Sequence, residues 1–523
     1  MKKRNKAQSV YSADGRIKLR VKDMDISTGG PPIVIINIKD AMMLDLHRED
    51  RLRIKKGGRE AVVIVDIGES SRAVKQGTIG LFEEALAKIN ARHNDVVEVF
   101  FENKPISIQY IKEKLEGRKL NNPKIVQIVK DLVADRLSEI EITYFVSACY
   151  TNGLDEEETK SLTMAMAETG QSLNLRKHKV FDKHSIGGIA GNRTTMIIVP
   201  IVCSAGITMP KTSSRSITSP AGTADTMEVL ADVSLSIGRM KKVIEKTSGC
   251  IVWGGALKLA PADDKIIKVE NPLSVDAEGQ LLASIMAKKK SVSSTHVIID
   301  IPIGREAKVS DDKSANKLKR AFEILGKHIG IKTKVIITDG SQPIGNGIGP
   351  ALEARDVLWV LERNPMRPLD LEKKAVMMAG LIFEMAGKSK KGHGEKDAMQ
   401  MLDSGKAHAK MIEIINAQGI HCKYPGRIKI GRFRYDVLAG KNGKIAEVSN
   451  FVISKIARIA GAPKNKGAGI YLHKHAGDFV EKNEKLFTIY SESRQKLKFA
   501  VETMKSLSVV KITKTRCSEL SAG

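Results

Sequence analysis

The sequence predicts an α/β protein in which a helical domain and a mixed α/β domain are flanked by two small β-rich domains. At 523 residues the chain is too long for a single hydrophobic core and should contain about three or four domains. In its middle part, strand-like runs such as VIIDIPI and KTKVIITD alternate with helical segments, which is typical of a mixed or parallel sheet covered by helices. Both ends of the chain contain short strand-like runs separated by glycine turns.

The order of these domains follows from the local patterns. IVIINI and EAVVIVDI are strand-like runs near the N-terminus, whereas four later segments place apolar residues at helical spacing after Asn, Ser or Asp starts. Beyond Gly426 short strands return. The predicted domains are a small β-rich domain (1–92), a helical domain (104–180, with 260–292 returning to it), an α/β phosphate-binding domain (181–259 and 293–425) and a C-terminal β-rich domain (426–523).

Composition and charge indicate a globular protein with anionic ligands. The net charge is +26, from 86 Lys and Arg against 60 Asp and Glu. The basic residues are spread along the whole chain, and aromatic residues make up only 4% of it. Both features disfavour nucleic-acid binding and favour small anionic substrates.

No targeting segment, membrane segment or metal site is predicted. The basic N-terminus is not followed by an apolar stretch, and the longest apolar run, Met196–Ala205, is too short to cross a bilayer. The five cysteines are widely scattered, without zinc-ligand spacing. These features predict a cytoplasmic protein without a metal.

Two glycine- and hydroxyl-rich turns, Ser185–Thr195 and Ser213–Thr223, bracket the apolar run. Such turns gather backbone N–H groups and short hydroxyls, which can hold phosphate without a metal. Two of them in one short span predict a ligand that carries one phosphate and meets another. The alternative is that each is an ordinary loop of turn-forming residues.

Five motifs, taken together, resemble those of the thymidine phosphorylase family in order and spacing, within a similarity that spans residues 107–491. The resemblance implies that family's helical domain plus mixed α/β domain, a pentosyltransferase of the glycosyltransferase class, and a homodimer or larger homo-oligomer. The motifs are SLTMAMAETG (161–170), DKHSIGG (182–188), SSRSITSPAGTADTME (213–228), LLASIMAKK (281–289) and GNGIGPALEARD (345–356).

Within this family, three departures resemble the archaeal AMP phosphorylase branch more than the pyrimidine-specific enzymes. Those enzymes carry Arg-Asp-Val-Thr, with an arginine that reads the base, where this chain has Val269–Pro272 without an arginine. Its signature turn lacks their glycines and histidine, and they lack its N-terminal domain. The resemblance therefore implies phosphorolysis of AMP to free base and ribose 1,5-bisphosphate in nucleotide degradation and salvage. A site that grips mainly ribose 5-phosphate would also accept CMP and UMP.

Phosphorolysis requires a general acid, because a purine leaves poorly as an anion. The resemblance places this proton donor at Asp276. Its apolar neighbours Leu273 and Val275 would raise its pKa by desolvation. The alternative is that Asp276 only caps the helix that follows it.

The resemblance also implies which residues hold the substrates. Inorganic phosphate is the co-substrate, and no cofactor is expected. Lys183 and Ser185 match the family's pocket for the attacking phosphate. The implied substrate-binding residues are Gly188, Ser214, Arg215, Ser216, Ile217, Thr218, Ser219, Thr223, Ser284 and Lys308.

Three alternative functions stay open. A pyrimidine-nucleoside (thymidine) phosphorylase would not require a 5′-phosphate on its substrate. A phosphoribosyltransferase of the related anthranilate type would need Mg²⁺ and an acidic pair, and neither turn contains such a pair. A nucleic-acid-binding protein would bind random nucleic acid with a steep salt dependence.

Overall fold

The computed structural model describes residues 17–175, 179–216, 219–270, 272 and 277–513. The chain forms two compact units, Met1–Gly170 with Ala260–Ser284 and Gln171–Leu259 with Ile285–Gly523. Each unit has a hydrophobic core of its own. Within the described ranges, no helix is long and apolar enough to cross a membrane.

Six strands of the first unit close into a barrel, and two short helices lie between them in the chain. Their bounds are β1 Ile17–Asp23, β2 Ile33–Asn37, α1 Ile38–Met43, β3 Arg51–Lys56, β4 Arg59–Gly68, β5 Thr78–Leu81, α2 Glu83–Ile89 and β6 Val96–Glu102. Hydrogen bonds connect the strands in the order β1-β5-β2-β4-β3-β6. The sequence pattern places the end of this domain at residue 92, but β6 lies beyond it and pairs with both β1 and β3 to close the barrel.

Four helices follow the barrel in the first unit: α3 Ser107–Leu115, α4 Asn122–Val133, α5 Glu139–Asn152 and α6 Glu156–Glu168. Capping boxes begin two of them, Ser138 with Glu141 at α5 and Asp155 with Glu158 at α6. Glu158 is buried and also pairs with the buried Lys114 at 2.7 Å, so that its charge is compensated inside the bundle.

The second unit contains a parallel sheet with helices around it. The next elements in chain order are β7 Phe181–Ser185, α7 Thr194–Ser204, β8 Met209–Ser213, α8 Thr223–Met227, α9 Ile237–Thr247, β9 Gly249–Trp253, α10 Pro261–Glu270, α11 Glu278–Ser291, β10 His296–Ile303, α12 Asp312–His328 and β11 Lys332–Asp339. Strands pair in parallel in the orders β11-β10-β7 and β8-β9. Helix α10 belongs to the first unit, and α11 begins there and ends in the second. The apolar run of the sequence forms α7, whose residues Thr194–Cys203 are all buried.

The remainder of the second unit combines a helical layer with a β-rich C-terminal part. The elements are β12 Gly347–Ile348, α13 Pro350–Leu361, α14 Leu369–Ala386, α15 Gly394–Asp403, α16 Lys406–Gln418, β13 Phe433–Leu438, β14 Gly443–Val448, α17 Asn450–Ile459, β15 Gly469–Leu472, β16 Phe479–Val480, β17 Lys485–Ser491, α18 Arg494–Lys505 and β18 Val510–Thr513. One sheet has the order β12-β15-β17-β13 and another β16-β14-β18. Because β12 precedes residue 425, the C-terminal sheet includes a strand from the α/β part of the chain.

Candidate active site

Two turns follow neighbouring parallel strands at one edge of the sheet. Strands β7 and β8 are adjacent through the parallel bridge of Val180 with Thr208, and they end at Ser185 and Ser213. We call Ser185–Thr195 the first turn and Ser213–Thr223 the second turn. Open α/β sheets bind their ligands beyond the carboxyl ends of the strands, so both turns lie where a ligand is expected.

Lys183 is a buried cation directly before the first turn. It lies on β7, is 1% exposed, and donates a hydrogen bond of 2.9 Å from Nζ to Thr194 Oγ1. Burial lowers the pKa of Lys183 to about 8, although attraction to Asp300 opposes this. An ammonium group that is buried beside a neutral hydroxyl is stabilised when an anion binds next to it.

Ser185 is held by a buried carboxylate from β10. Its Oγ donates to Asp300 Oδ2 at 2.9 Å, and Lys374 Nζ lies 3.1 Å from the same oxygen. Burial raises the pKa of Asp300, but Lys183 and Lys374 outweigh burial and keep the pKa below its usual value. Asp300 is therefore ionised at neutral pH and accepts the Ser185 proton, while the serine oxygen itself accepts from Asn192 Nδ2 at 3.4 Å.

A second buried ion cluster lies beside the first turn. Asp182 Oδ2 accepts from Lys289 Nζ at 2.8 Å, and Lys211 Nζ lies 3.6 Å from Asp182 Oδ1. All three side chains are buried, and burial lowers the pKa of Lys211. The sequence interpretation missed this cluster, although charged residues inside apolar strands, as in FDKHS and MPKTS, are the signal that could have revealed it.

Gly188 and Lys308, two predicted substrate-binding residues, lie side by side in the second unit. Gly188 has a φ of +93°, and a Cβ atom at this position would lie 2.8 Å from Lys308 N and 3.1 Å from Ala307 Cα. Both the backbone conformation and the close approach therefore require glycine. The side chain of Lys308 is exposed at this point.

The carboxylate of Asp225 organises the second turn. Its Oδ2 accepts from the backbone N–H groups of Ser216 (2.7 Å) and Gly222 (2.9 Å). A Cβ on Gly222 would lie 2.6 Å from Ser214 O, so the turn closes tightly on itself. The hydroxyl of Ser216 donates to the carbonyl of Ser219. Several polar groups that the sequence assigns to substrate binding are thus bonded within the turn.

Arg215 is held by two carboxylates and an aromatic ring. Its Nη1 donates to Asp225 Oδ1 at 3.1 Å and to Glu228 Oε2 at 2.8 Å, and its guanidinium lies 4.8 Å from the centre of the Trp253 ring. Lys466 Nζ lies 2.7 Å from the same Glu228 oxygen. The hydrogen bond from Arg215, together with Lys466, lowers the pKa of Glu228 to about 2 against the effect of burial. To bind a ligand phosphate, Arg215 would have to exchange these partners, so that role stays a prediction.

Arg193 ties the two turns together. Its guanidinium donates to the carbonyl of Ala221 in the second turn and, through Nε, to Glu353 Oε2 at 2.5 Å. Glu353 is buried on α13 and also accepts from Thr226 Oγ1 at 2.7 Å. The sequence interpretation missed this link, because nothing local to Arg193 indicates a partner on a helix much later in the chain.

The other predicted site residues are distributed differently. Thr223 is both the last residue of the second turn and the first residue of α8, and Ser284 lies on α11 in the first unit. Asp276, Ile217 and Thr218 lie outside the described residues. In the parts of the chain that the structure describes, no group of three or more His, Cys, Asp or Glu side chains could hold a metal ion.

Three family profiles match consecutive parts of the chain. The helical bundle domain of the glycosyl transferase family matches residues 108–170, and the a/b domain of that family matches residues 177–408. The C-terminal domain of pyrimidine nucleoside phosphorylases matches residues 444–511. Fold and profiles together define a glycosyltransferase with a helical bundle and an α/β domain, which confirms the predicted fold class.

Two relatives and one solved structure indicate which family of glycosyltransferases the chain belongs to. An AMP phosphorylase from Methanocaldococcus jannaschii is 42% identical over 95% of this chain and 97% of its own length. A putative thymidine phosphorylase from Legionella pneumophila is 43% identical over 87% of both chains. The crystal structure of anthranilate phosphoribosyltransferase from Thermus thermophilus is 18% identical with a TM-score of 0.50, covers 59% of this chain and 98% of its own, and shows the fold alone. The chain belongs to the thymidine phosphorylase family.

Proposed function

We propose that this protein catalyses the phosphorolysis of AMP by inorganic phosphate, giving adenine and ribose 1,5-bisphosphate. The observation that carries the proposal is the placement of two phosphate-type turns at one sheet edge, with the buried Lys183 beside the first. The archaeal AMP phosphorylase that aligns over 95% of the chain supports AMP as the nucleotide. In this role the enzyme serves nucleotide degradation and salvage.

The reaction exchanges one bond at the anomeric carbon for another. A phosphate oxygen attacks C1′ from the face opposite the base, the C1′–N9 bond breaks, and its electron pair passes to adenine. Lys183 balances the charge of the attacking phosphate, which is electrostatic stabilisation of the transition state. Ser185 orients the phosphate when its hydroxyl proton turns from Asp300 to a phosphate oxygen. Asp276 delivers a proton to N7 of the departing base, so that adenine leaves as a neutral molecule.

The second turn and Lys308 are proposed to hold the 5′-phosphate and ribose of the nucleotide. Recognition that rests mainly on ribose 5-phosphate extends the substrate range to CMP and UMP. No metal or cofactor takes part in this scheme, and chelation of divalent cations should leave the rate unchanged. By family analogy we also expect a homodimer or a larger homo-oligomer.

The test is phosphate-dependent base release from AMP beside adenosine and thymidine. We expect rapid release from AMP, with ribose 1,5-bisphosphate as the second product and little turnover of the two nucleosides. Asp276→Asn should lower kcat by about 10²- to 10⁴-fold, the usual contribution of a general acid. The matched control is Asp311→Asn, which changes an exposed helix cap on α12 and should keep full activity.

A pyrimidine-nucleoside phosphorylase is the second candidate, because the relative from Legionella pneumophila bears the name putative thymidine phosphorylase at 43% identity. That relative has about the same length as this chain, since the alignment covers 87% of each. Chain length therefore does not separate the two activities. Turnover of thymidine at or above the rate for AMP would establish this second candidate and overturn the first.

A further inference from the structure

The N-terminal end of α17, in the C-terminal part of the chain, contacts three loops at the carboxyl edge of the parallel sheet. Ser449 and Asn450 lie at the start of this helix, where backbone N–H groups have no partner inside the helix. The three loops contain Ala190, Glu306 and Gly340, which follow β7, β10 and β11 respectively. All of these residues belong to the second unit.

Asn450 connects two of the loops through its side-chain amide. Its Oδ1 accepts from Ala190 N at 3.2 Å, and its Nδ2 lies 3.4 Å from Gly340 O. The residue is 2% exposed. Ala190 lies two residues after Gly188, so the Asn450 amide holds the loop that contains Gly188.

Glu306 connects the third loop, and here the loop provides the side chain that accepts hydrogen bonds from the helix. Its carboxylate accepts from Ser449 Oγ at 2.8 and 2.9 Å and from Phe451 N at 2.9 Å. A carboxylate at a helix N-terminus satisfies N–H groups that would otherwise lack partners and is favoured by the helix dipole. Glu306 thereby caps a helix that is remote in sequence, and its own loop becomes fixed to that helix.

The two connections meet at Gly188 and Lys308. Lys308 follows Glu306 by two residues, and its backbone N–H packs against Gly188, where a Cβ would lie only 2.8 Å away. One loop of this contact is anchored by Glu306 and the other by Asn450. The N-terminal end of α17 thus sets the relative position of these two predicted substrate-binding residues.

We infer that Glu306 and Asn450 are positioning residues for nucleotide binding. They hold the loops of Lys308 and Gly188 in fixed relative positions through the N-terminal end of α17. This inference rests on the proposed function, since it assigns the C-terminal part of the chain a role in nucleotide affinity. In this role neither residue needs to contact the substrate. Their effect should therefore fall on KM for AMP more than on kcat.

The experiment compares Glu306→Ala and Asn450→Ala with Ser493→Ala. Ser493 caps α18 in the same C-terminal part, where its side chain accepts from Lys496 N, so its loss removes a helix cap at a site away from the three loops. We expect KM for AMP to rise about five- to twentyfold in the two test variants, with kcat within about twofold, as for coupling through packed contacts. Ser493→Ala should lower the Tm while leaving KM unchanged, and Glu306→Gln, whose amide oxygen can still accept these hydrogen bonds, should restore most of the affinity.

Hydrogen exchange gives a readout that does not depend on turnover. Backbone amides of residues 186–191 and 304–309 should exchange faster in Glu306→Ala than in the unsubstituted protein, and at an unchanged rate in Ser493→Ala. If AMP is not a substrate but this exchange pattern appears, the proposed function fails while the positioning role stands. Unchanged KM together with unchanged exchange in both test variants would overturn the inference.

Discussion

The first and second turns are built from the same residue types, yet Lys183, directly before the first turn, and Arg215, within the second, have different surroundings. Directly before the first turn, Lys183 is buried and donates to the neutral hydroxyl of Thr194. In the second turn, Arg215 is partly exposed and pairs with the carboxylates of Asp225 and Glu228. The first turn therefore has beside it a buried cation whose direct hydrogen-bond partner is a neutral hydroxyl, whereas the second contains a cation that is paired directly with two carboxylates.

This difference assigns separate tasks to the two turns. A buried ammonium group with a lowered pKa gains most from a phosphate ligand, because the ligand replaces the lost hydration. A guanidinium held by two carboxylates fixes the shape of its own loop and must exchange partners before it can bind a ligand. We therefore expect the attacking phosphate to bind beside the first turn and the nucleotide to bind against the second.

The largest expected contrast is between Lys183→Met and Arg215→Met. Lys183→Met should lower kcat/KM for phosphate about a hundredfold or more, because a charged donor to the reacting phosphate is lost. Its Tm should change little, because Lys374 still pairs with Asp300 and the removal of a costly buried charge offsets the lost attraction between Lys183 and Asp300. Arg215→Met should lower the Tm, because Asp225 and Glu228 lose the cation that bridges them. Initial rates and thermal melts check both variants. A large loss of Tm in Lys183→Met but not in Arg215→Met would contradict the different roles of the two basic side chains.

The next contrast is in the pH dependence of phosphate use. The ammonium of Lys183 is present below its pKa of about 8 and is lost as the pH rises through that value. Because kcat/KM reports the free enzyme, kcat/KM for phosphate should fall about tenfold per pH unit above this point. In Lys183→Arg the guanidinium stays protonated, so the decline should disappear even if the rate is lower. An alkaline decline that persists in Lys183→Arg would assign it to another group.

A glycine pair separates backbone strain from packing in the first turn. Gly187 and Gly188 have φ values of +95° and +93°, but only at Gly188 would a Cβ meet another segment, the backbone at Lys308. Alanine at either position should cost about 1 kcal/mol or more in the free energy of unfolding. Only Gly188→Ala should also raise KM for AMP, about five- to tenfold. Equal KM values for the two variants would contradict the assignment of Lys308 to the nucleotide site.

The smallest expected effect is that of Glu228→Gln on activity, no more than about fivefold in kcat/KM for AMP. Its effect on stability depends on pH. The folded pKa of Glu228 is about 2, lowered from 4.5, so its stabilisation is fully present above pH 4.5 and is lost as the pH falls towards 2. Urea unfolding at several pH values should show Glu228→Gln less stable at pH 7 and closer to the unsubstituted protein near pH 3. A constant difference across this range would contradict the ion-pair network.

Much of the fold could be predicted from local sequence patterns. The apolar run Met196–Ala205 forms the buried helix α7, and the two turns flank it at the edge of the sheet. The sequence pattern does not extend the first domain beyond residue 92, because the role of β6 is visible only in its pairing with β1 and β3. Local periodicity contains no information about which strands close a barrel.

The site could be predicted only in part, because its charges are paired across long stretches of chain. Lys289 reaches Asp182 from 107 residues away, and Arg193 reaches Glu353 over 160 residues. Sequence patterns identify the turns and their residue types, but they do not show which basic side chain already has a carboxylate partner. The different surroundings of Lys183 and Arg215 therefore become visible only in three dimensions.

The most direct test of this account is a crystal structure of the protein with inorganic phosphate and no nucleotide. We expect a phosphate within about 3 Å of Lys183 Nζ and Ser185 Oγ, with Arg215 still paired to Glu228. A phosphate bound by Arg215, with Glu228 displaced and none beside Lys183, would contradict the assignment of the two turns.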